Sequence, residues 1–264
     1  MPDFLIQALR PGSWPAFVLI STRLGGLMLA APLWSMTALP RPARAAITVL
    51  LAILLLPGAP RVTMPDQWLD LPLPLAMEFI VGLAIGLTAA VVVQGAALAG
   101  EVISLQMSLS LGPALLPTPD MQVSGVGQIQ SALALLIYVS VGGHTMLLQG
   151  LADSLRILPP GMPMSLQGGA TGATMLAGTL FSSALRAAAP VMVALLLANL
   201  ALAILSRAVP HLNAMMVSFP IVIALGLVTL GASLGVVAPV IERWMHGIPS
   251  QVQEVLQSFQ PVPR

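Results

Sequence analysis

Long apolar runs alternate with short polar or proline-rich joints along this 264-residue chain. The first run extends from Ser13 or Trp14 to about Leu33, the second from Ala45 to Leu56, and the third from Leu75 through Val93 to Glu101. The fourth covers Ile129 to Leu148, the fifth Thr174 to Leu205 and the sixth Met215 to Val240. The chain has room for roughly six spans of about 20 residues each. The expected fold class is therefore all-α: a polytopic, membrane-associated protein with about six long apolar helices. The second run is short, of the length of a half-span or a buried helix. Proline and glycine punctuate the pattern at Pro40-Arg41-Pro42, Pro57-Gly58-Ala59-Pro60, Gly142-Gly143 and Leu158-Pro159-Pro160-Gly161. Pro190 and Pro220 predict bends in the fifth and sixth runs. Residues 161–173 are rich in Gly, Ser and Thr and mark the best candidate boundary between domains. Beyond Glu242 the tail turns polar and amphipathic.

Between the third and fourth runs lies a stretch that fits neither pattern, Glu101 to Gln130. It is too polar to span a membrane and too apolar to be a solvated linker. Pro113, Pro117 and Pro119 argue against a continuous helix. Leu109, Leu111, Leu115, Leu116, Met121 and Val123 argue against simple disorder. We expect an ordered, irregular segment held by other protein surface, at or near membrane depth; an ordinary interfacial connection is the plainer alternative.

Composition sharpens the class. Hydrophobic residues make up 57% and charged residues 7% of the chain, against about 25% charged in an average soluble domain. That is too little charge to cover a water-facing surface. A net charge of +1 leaves no footprint for nucleic acid. There is no lysine and no cysteine among the 264 residues, which excludes a P-loop lysine, a lysine Schiff base, disulfides and thiolate chemistry. No HExxH or dinucleotide glycine motif occurs. Glu78 and Glu101 fall on one predicted helix about 35 Å apart by helical rise, too far to act as an acid/base pair. The chain is not expected to be an enzyme, and no catalytic, cofactor or metal residue is assigned.

The few charges inside apolar runs stand out. Phe17, Val18, Leu19, Ile20, Leu24, Leu27 and Leu29 favour insertion by roughly 2 to 4 kcal/mol together, and a central arginine opposes it by about 2.5 to 3.5 kcal/mol. Arg23 therefore nearly cancels the run that holds it, and needs a partner. Glu78, Glu101, Arg186 and Arg207 are the other candidates for buried charge or assembly contacts. Gly82 with Gly86, and Gly231 with Gly235, place small residues on one helix face, where backbones can approach closely.

Several of these stretches, taken in order, resemble the family of the flagellar biosynthesis protein FliR and its type III secretion counterpart SctT. They are Arg23-Leu-Gly-Gly26 with Ala31-Pro32-Leu33 and Leu39-Pro40-Arg41-Pro-Ala-Arg44; Gly82-Leu-Ala-Ile-Gly86-Leu87 with Ala99-Gly100-Glu101 and Gln106-Met107; Gly143-His144 with Leu158-Pro159-Pro160-Gly161; and Asn199-Leu-Ala-Leu, Arg207-Ala-Val-Pro210, Leu212-Asn213 and Phe219-Pro220. No single motif is specific, but the ordered set covers nearly the whole chain.

The resemblance implies an export-gate subunit of a bacterial flagellar secretion apparatus, sited in the inner membrane at the flagellar basal body. It implies assembly with FliP-like, FliQ-like and FlhB-like subunits, and passage of unfolded substrates. It divides the chain into a FliP-like part, residues 1–165, and a FliQ-like helical hairpin with a polar tail, residues 166–264. It places a pore loop at about 108–128, with Leu109, Leu111, Leu115, Leu116 and Met121 plugging the pore, and sets the GxxxG faces against neighbouring subunits. Buried charges would find partners there too. Relatives often carry Gly-Leu-Ser-Phe and Asp-Pro in this loop, where this chain has Ser108-Leu-Ser-Leu111 and Pro119-Asp120. The plug assignment thus rests on position more than on matching residues. A virulence injectisome subunit of the same family is one alternative. A small-solute secondary transporter, using Arg23, Glu78 and Arg186 with broken helices, is another.

Overall fold

Proline sets where many of the helices begin. In the first turn of a helix the missing amide costs nothing, because that amide has no partner in any case. Helix α1, Trp14–Ala30, carries Pro15 there, and α2, Arg41–Leu55, carries Pro42. Helix α3, Pro72–Gln106, opens on proline itself. The remaining helices are α4, Gly125–Ser140; α5, Gly143–Ile157; α6, Leu166–Ala208; α7, Ala214–His246; and α8, Ile248–Ser258, with Pro249 in its first turn. A 3₁₀ turn, Leu56–Gly58, follows α2. This computed structural model describes residues 13–35, 40–58, 60, 62, 71–107, 124–208 and 214–260. No strand occurs among them. Most of the predicted pore loop, residues 108–123, lies outside the described residues.

Among the described residues, four helical segments are long and apolar enough to cross a membrane: Arg41–Gly58, Pro72–Gln106, Leu166–Ala208 and Ser218–His246. The all-α, polytopic reading holds, with four spans among the described residues, or five if α4 and α5 together form one. Helix α1 has only 17 residues. The fourth apolar run is split into α4 and α5, bent by 64°. Gly142, at φ +76°, makes that break. An L-residue pays a steric penalty in this left-handed region, and glycine does not. Thr145 then donates to the Gly142 carbonyl through both its amide, at 2.9 Å, and its hydroxyl, at 2.6 Å. Helix α6 runs without interruption past Pro190, and α7 past Pro220 and Pro239.

The chain forms two compact units. The first comprises Met1–Val91, Gly142–Gly178 and Met245–Arg264. In it α1 packs along α2, and α5 along α8. Leu19, Ile20, Leu24 and Leu27 of α1 are fully or almost fully buried. The amphipathic tail becomes α8, which buries Val252, Val255 and Leu256, with Phe259 just after it. Its C-terminal end meets the start of α6 in the Gly/Ser/Thr-rich stretch. A Cβ on Gly168 would strike the Ser258 carbonyl, and one on Gly169 would lie 2.5 Å from the Phe259 ring. The Ser165 amide donates to the Phe259 carbonyl at 3.0 Å. Glycine is dense there because a helix end lies against that backbone.

The second unit comprises Val92–Val141 and Thr179–Trp244. It holds the end of α3, all of α4, and most of α6 and α7. Ala96, Ala99, Ile103 and Met107 are fully buried in it. The apolar helices differ sharply in how much of them the chain covers. The most apolar stretch of α3 is 67% buried, that of α6 17% and that of α7 28%. Helix α3 is a core element, whereas α6 and α7 present apolar surface that this chain leaves uncovered.

Candidate functional site

The first unit closes around a charge cluster built on Arg23. Its side chain and that of Glu78 are both 0% exposed, and Arg23 Nε donates to Glu78 Oε2 at 2.6 Å. Arg23 Nη1 donates to Ser154 Oγ at 2.9 Å, and Nη2 donates to the Leu158 carbonyl at 2.9 Å. The other carboxylate oxygen, Glu78 Oε1, accepts the Gly161 amide at 3.0 Å. The Ser154 hydroxyl itself donates a hydrogen bond to the Leu151 carbonyl at 2.6 Å. Three helices and one turn therefore meet on a single ion pair: α1 and α3 supply the charges, and α5 and the turn after it supply the neutral groups. A buried charge is tolerated when it is paired and its remaining hydrogen-bonding directions are filled. Gly161, at φ +79°, turns the chain so that its amide faces the carboxylate.

Glycines allow the two charge-bearing helices to approach. A Cβ on Gly82 would collide with the Arg23 carbonyl, and one on Gly26 with the Phe79 carbonyl. A Cβ on Gly86 would stand 2.8 Å from the Leu27 carbonyl. The Gly82/Gly86 face is thus occupied by α1 of the same chain. This corrects the expectation that it packs against a neighbouring subunit. It equally corrects the expectation that Arg23 finds its counter-charge outside the chain. The physical reason is shared: backbone contact at the glycines brings α1 close enough for Arg23 to reach Glu78.

The other candidates are scattered. Glu101, at the end of α3, accepts the Ser124 amide at 2.7 Å and belongs to the second unit. Arg186 and Arg207 are exposed on α6. Gly231 and Gly235 have nothing within 4 Å of where a Cβ would stand, so their face of α7 is open. Leu109, Leu111, Leu115, Leu116 and Met121 lie outside the described residues. Asp153 and Arg156, spaced as a helical pair on α5, are both exposed. Sequence reasoning missed Ser154 and Leu158 as partners of Arg23, and Gly161 as a partner of Glu78. The Pro-Pro-Gly turn was visible as a break, but nothing in its spelling said which side chain it would face.

The sequence matches the family described as bacterial export proteins, family 1, over residues 14–248. This chain belongs to that family. Among its relatives it is 30% identical to the flagellar biosynthetic protein FliR of Pectobacterium carotovorum subsp. carotovorum, over 92% of this chain and 91% of the relative. It is 26% identical to FliR of Escherichia coli (strain K12), over 93% of this chain and 92% of the relative. Against FliR of Bacillus subtilis (strain 168) the identity is 28%, over 87% and 90%. The match to the bacterial export proteins takes in every residue of the Arg23 cluster. It stops at Ile248, the first residue of α8, so the tail that docks on α5 and α6 lies beyond it.

Proposed function

We propose that this protein is an export-gate subunit of the flagellar type III secretion apparatus, working in the bacterial inner membrane at the flagellar basal body. The observation that carries the reading is similarity to flagellar biosynthetic proteins along more than nine-tenths of both chains. The uncovered apolar faces of α6 and α7 support it, because a protein that works alone in water would bury them. The chain assembles with FliP-like and FliQ-like subunits and is contacted by an FlhB-like one. Residues 1–165 form the FliP-like part and residues 166–264 the FliQ-like hairpin and tail. In this reading about 108–128 stands in the pore, and Leu109, Leu111, Leu115, Leu116 and Met121 hold back water and ions until an unfolded substrate displaces them. Thioether side chains adapt to varied partners, which suits Met121. The gate is passive, and energy comes from other subunits and the proton gradient.

Two measurements test this. A tagged chain should bring down small membrane subunits of the FliP and FliQ type; recovery of the chain alone argues against an assembly role. Deleting residues 112–121 should make the assembled gate leak ions. An unchanged closed conductance would remove the plug from the account.

A further inference from the structure

Arg186 stands on the exposed side of α6 among Phe181, Leu185 and Val193, which are 67%, 59% and 57% exposed. Among the described residues no carboxylate pairs with it. A guanidinium is costly to cover with apolar surface alone. Proline adds acceptors to this cation. Pro190 has no amide to close on the Arg186 carbonyl four residues back, and Pro239 has none for the carbonyl of Gly235 on α7. Wherever water is excluded, a carbonyl freed in this way needs a donor from elsewhere. Pro190, Gly235 and Pro239 are all exposed, and nothing lies within 4 Å of where a Gly235 Cβ would stand.

These groups stand at one height. Both helices rest on the last turns of α3. A Cβ on Gly95 would collide with Ser183 Oγ of α6, and one on Gly226 of α7 would lie 2.7 Å from Met107 Sδ. Gly95 and Met107 are about 18 Å apart at helical rise. Residues 209–213 alone separate α6 from α7, and a joint of that length reaches at most about 20 Å. It closes only if α6 runs with α3 and α7 runs back against it; any other pair of directions leaves Ala208 and Ala214 more than about 35 Å apart. In that register Arg186 and Gly235 both fall about 4 to 5 Å beyond the level of Gly95. Gly235 follows Gly226 by two and a half turns, so it faces away from α3.

We propose that α6 and α7 form at this level a docking face for a partner helix that carries a carboxylate among apolar residues, with a hydroxyl or amide donor about one turn away. The carboxylate takes the Arg186 guanidinium in a charge-assisted hydrogen bond, and the donor answers a freed carbonyl. The bare backbone at Gly235 lets the helix come close. A lipid phosphate would satisfy Arg186 but makes no use of a bare glycine at the same height. The site rests on reading this chain as an assembly subunit, and adds the chemistry that its neighbour carries there.

The chain has no lysine, so Arg186→Lys gives it a single side-chain amine. With a lysine-free tag, a zero-length carbodiimide applied to the complex should join that amine to the carboxylate it touches. One covalent adduct with a co-purifying subunit should form, and the unsubstituted chain should not give it. Gly235→Leu, added to Arg186→Lys, should abolish the adduct by holding the partner helix off. Arg186→Leu should cut recovery of the subunits by at least about tenfold, the lower end of the coupling between close charge pairs at interfaces. The thermal midpoint of the chain alone should stay where it was. Subunits that co-purify without the adduct, as when lipid holds Arg186, overturn the docking face and leave the assembly reading standing. Recovery unchanged by Arg186→Leu does the same. Recovery of the unsubstituted chain with no subunit at all strikes both.

Discussion

Each of the three nitrogens of the Arg23 guanidinium has its own acceptor, and the Glu78 carboxylate uses both oxygens. This decides what substitutions there should do. Removing one partner leaves the other charge buried and unpaired, which costs about 3 to 5 kcal/mol. Glu78→Gln and Arg23→Met should therefore each sharply lower the unfolding midpoint of the protein in detergent. The double replacement Arg23→Met with Glu78→Met should recover much of that loss, because a hydrophobic pair of similar volume is often no worse than a buried ion pair. Additive losses in the double variant would mean that the two side chains are not coupled. Gly82→Ala should be damaging for a different reason. Its methyl would meet the backbone of Arg23, so α1 and α3 must move apart, at a cost of about 1 to 3 kcal/mol or more.

Between helices, the two GxxxG faces behave as opposites. Gly82 and Gly86 on α3 are filled by α1, while Gly231 and Gly235 on α7 face open space. Gly231→Ala should leave the isolated chain as stable as before, or slightly more so, since alanine is favoured over glycine inside a helix by about 1 kcal/mol. If a sister subunit uses that face, the same change should reduce the yield of the co-purified complex while the thermal midpoint of the chain alone stays put. Equal yield with and without the methyl would place the subunit contact elsewhere. The α4–α5 break makes a second element-level prediction. Gly142→Ala forces a side chain into the left-handed region, at about 1 to 2 kcal/mol. It should lower the unfolding midpoint by a few degrees, far less than loss of Glu78 does.

For the whole molecule, the most informative surface is the bare face of α6. Phe181, Leu185, Leu196, Leu197, Leu200 and Ile204 are each at least 58% exposed. A charge placed at Leu200 touches little of this chain, so Leu200→Arg should barely change its unfolding in detergent. In cells it should abolish recovery of sister subunits and, with it, motility. Normal co-purification of that variant would assign the face to lipid.

Some of this was written in the chain before any fold was known. Runs of apolar residues without lysine or much acid require a membrane or a protein shell, because backbone and side chains of that kind have no other solvent. The places where helices start and stop follow from proline and glycine, whose effects are local. The need of Arg23 for a partner also follows from sequence, since an unpaired guanidinium in an apolar helix is too costly to leave alone.

Which group answers that need did not follow. Glu78, Ser154 and Leu158 lie far from Arg23 along the chain, and only folding brings them within 3.0 Å of it, as it brings Gly161 to Glu78. The same holds for the glycines: identical spacing reads identically in sequence, yet one pair is covered and the other bare. Local chemistry sets the helices and their punctuation; which faces meet depends on where helices cross, and that is settled by packing the whole chain at once.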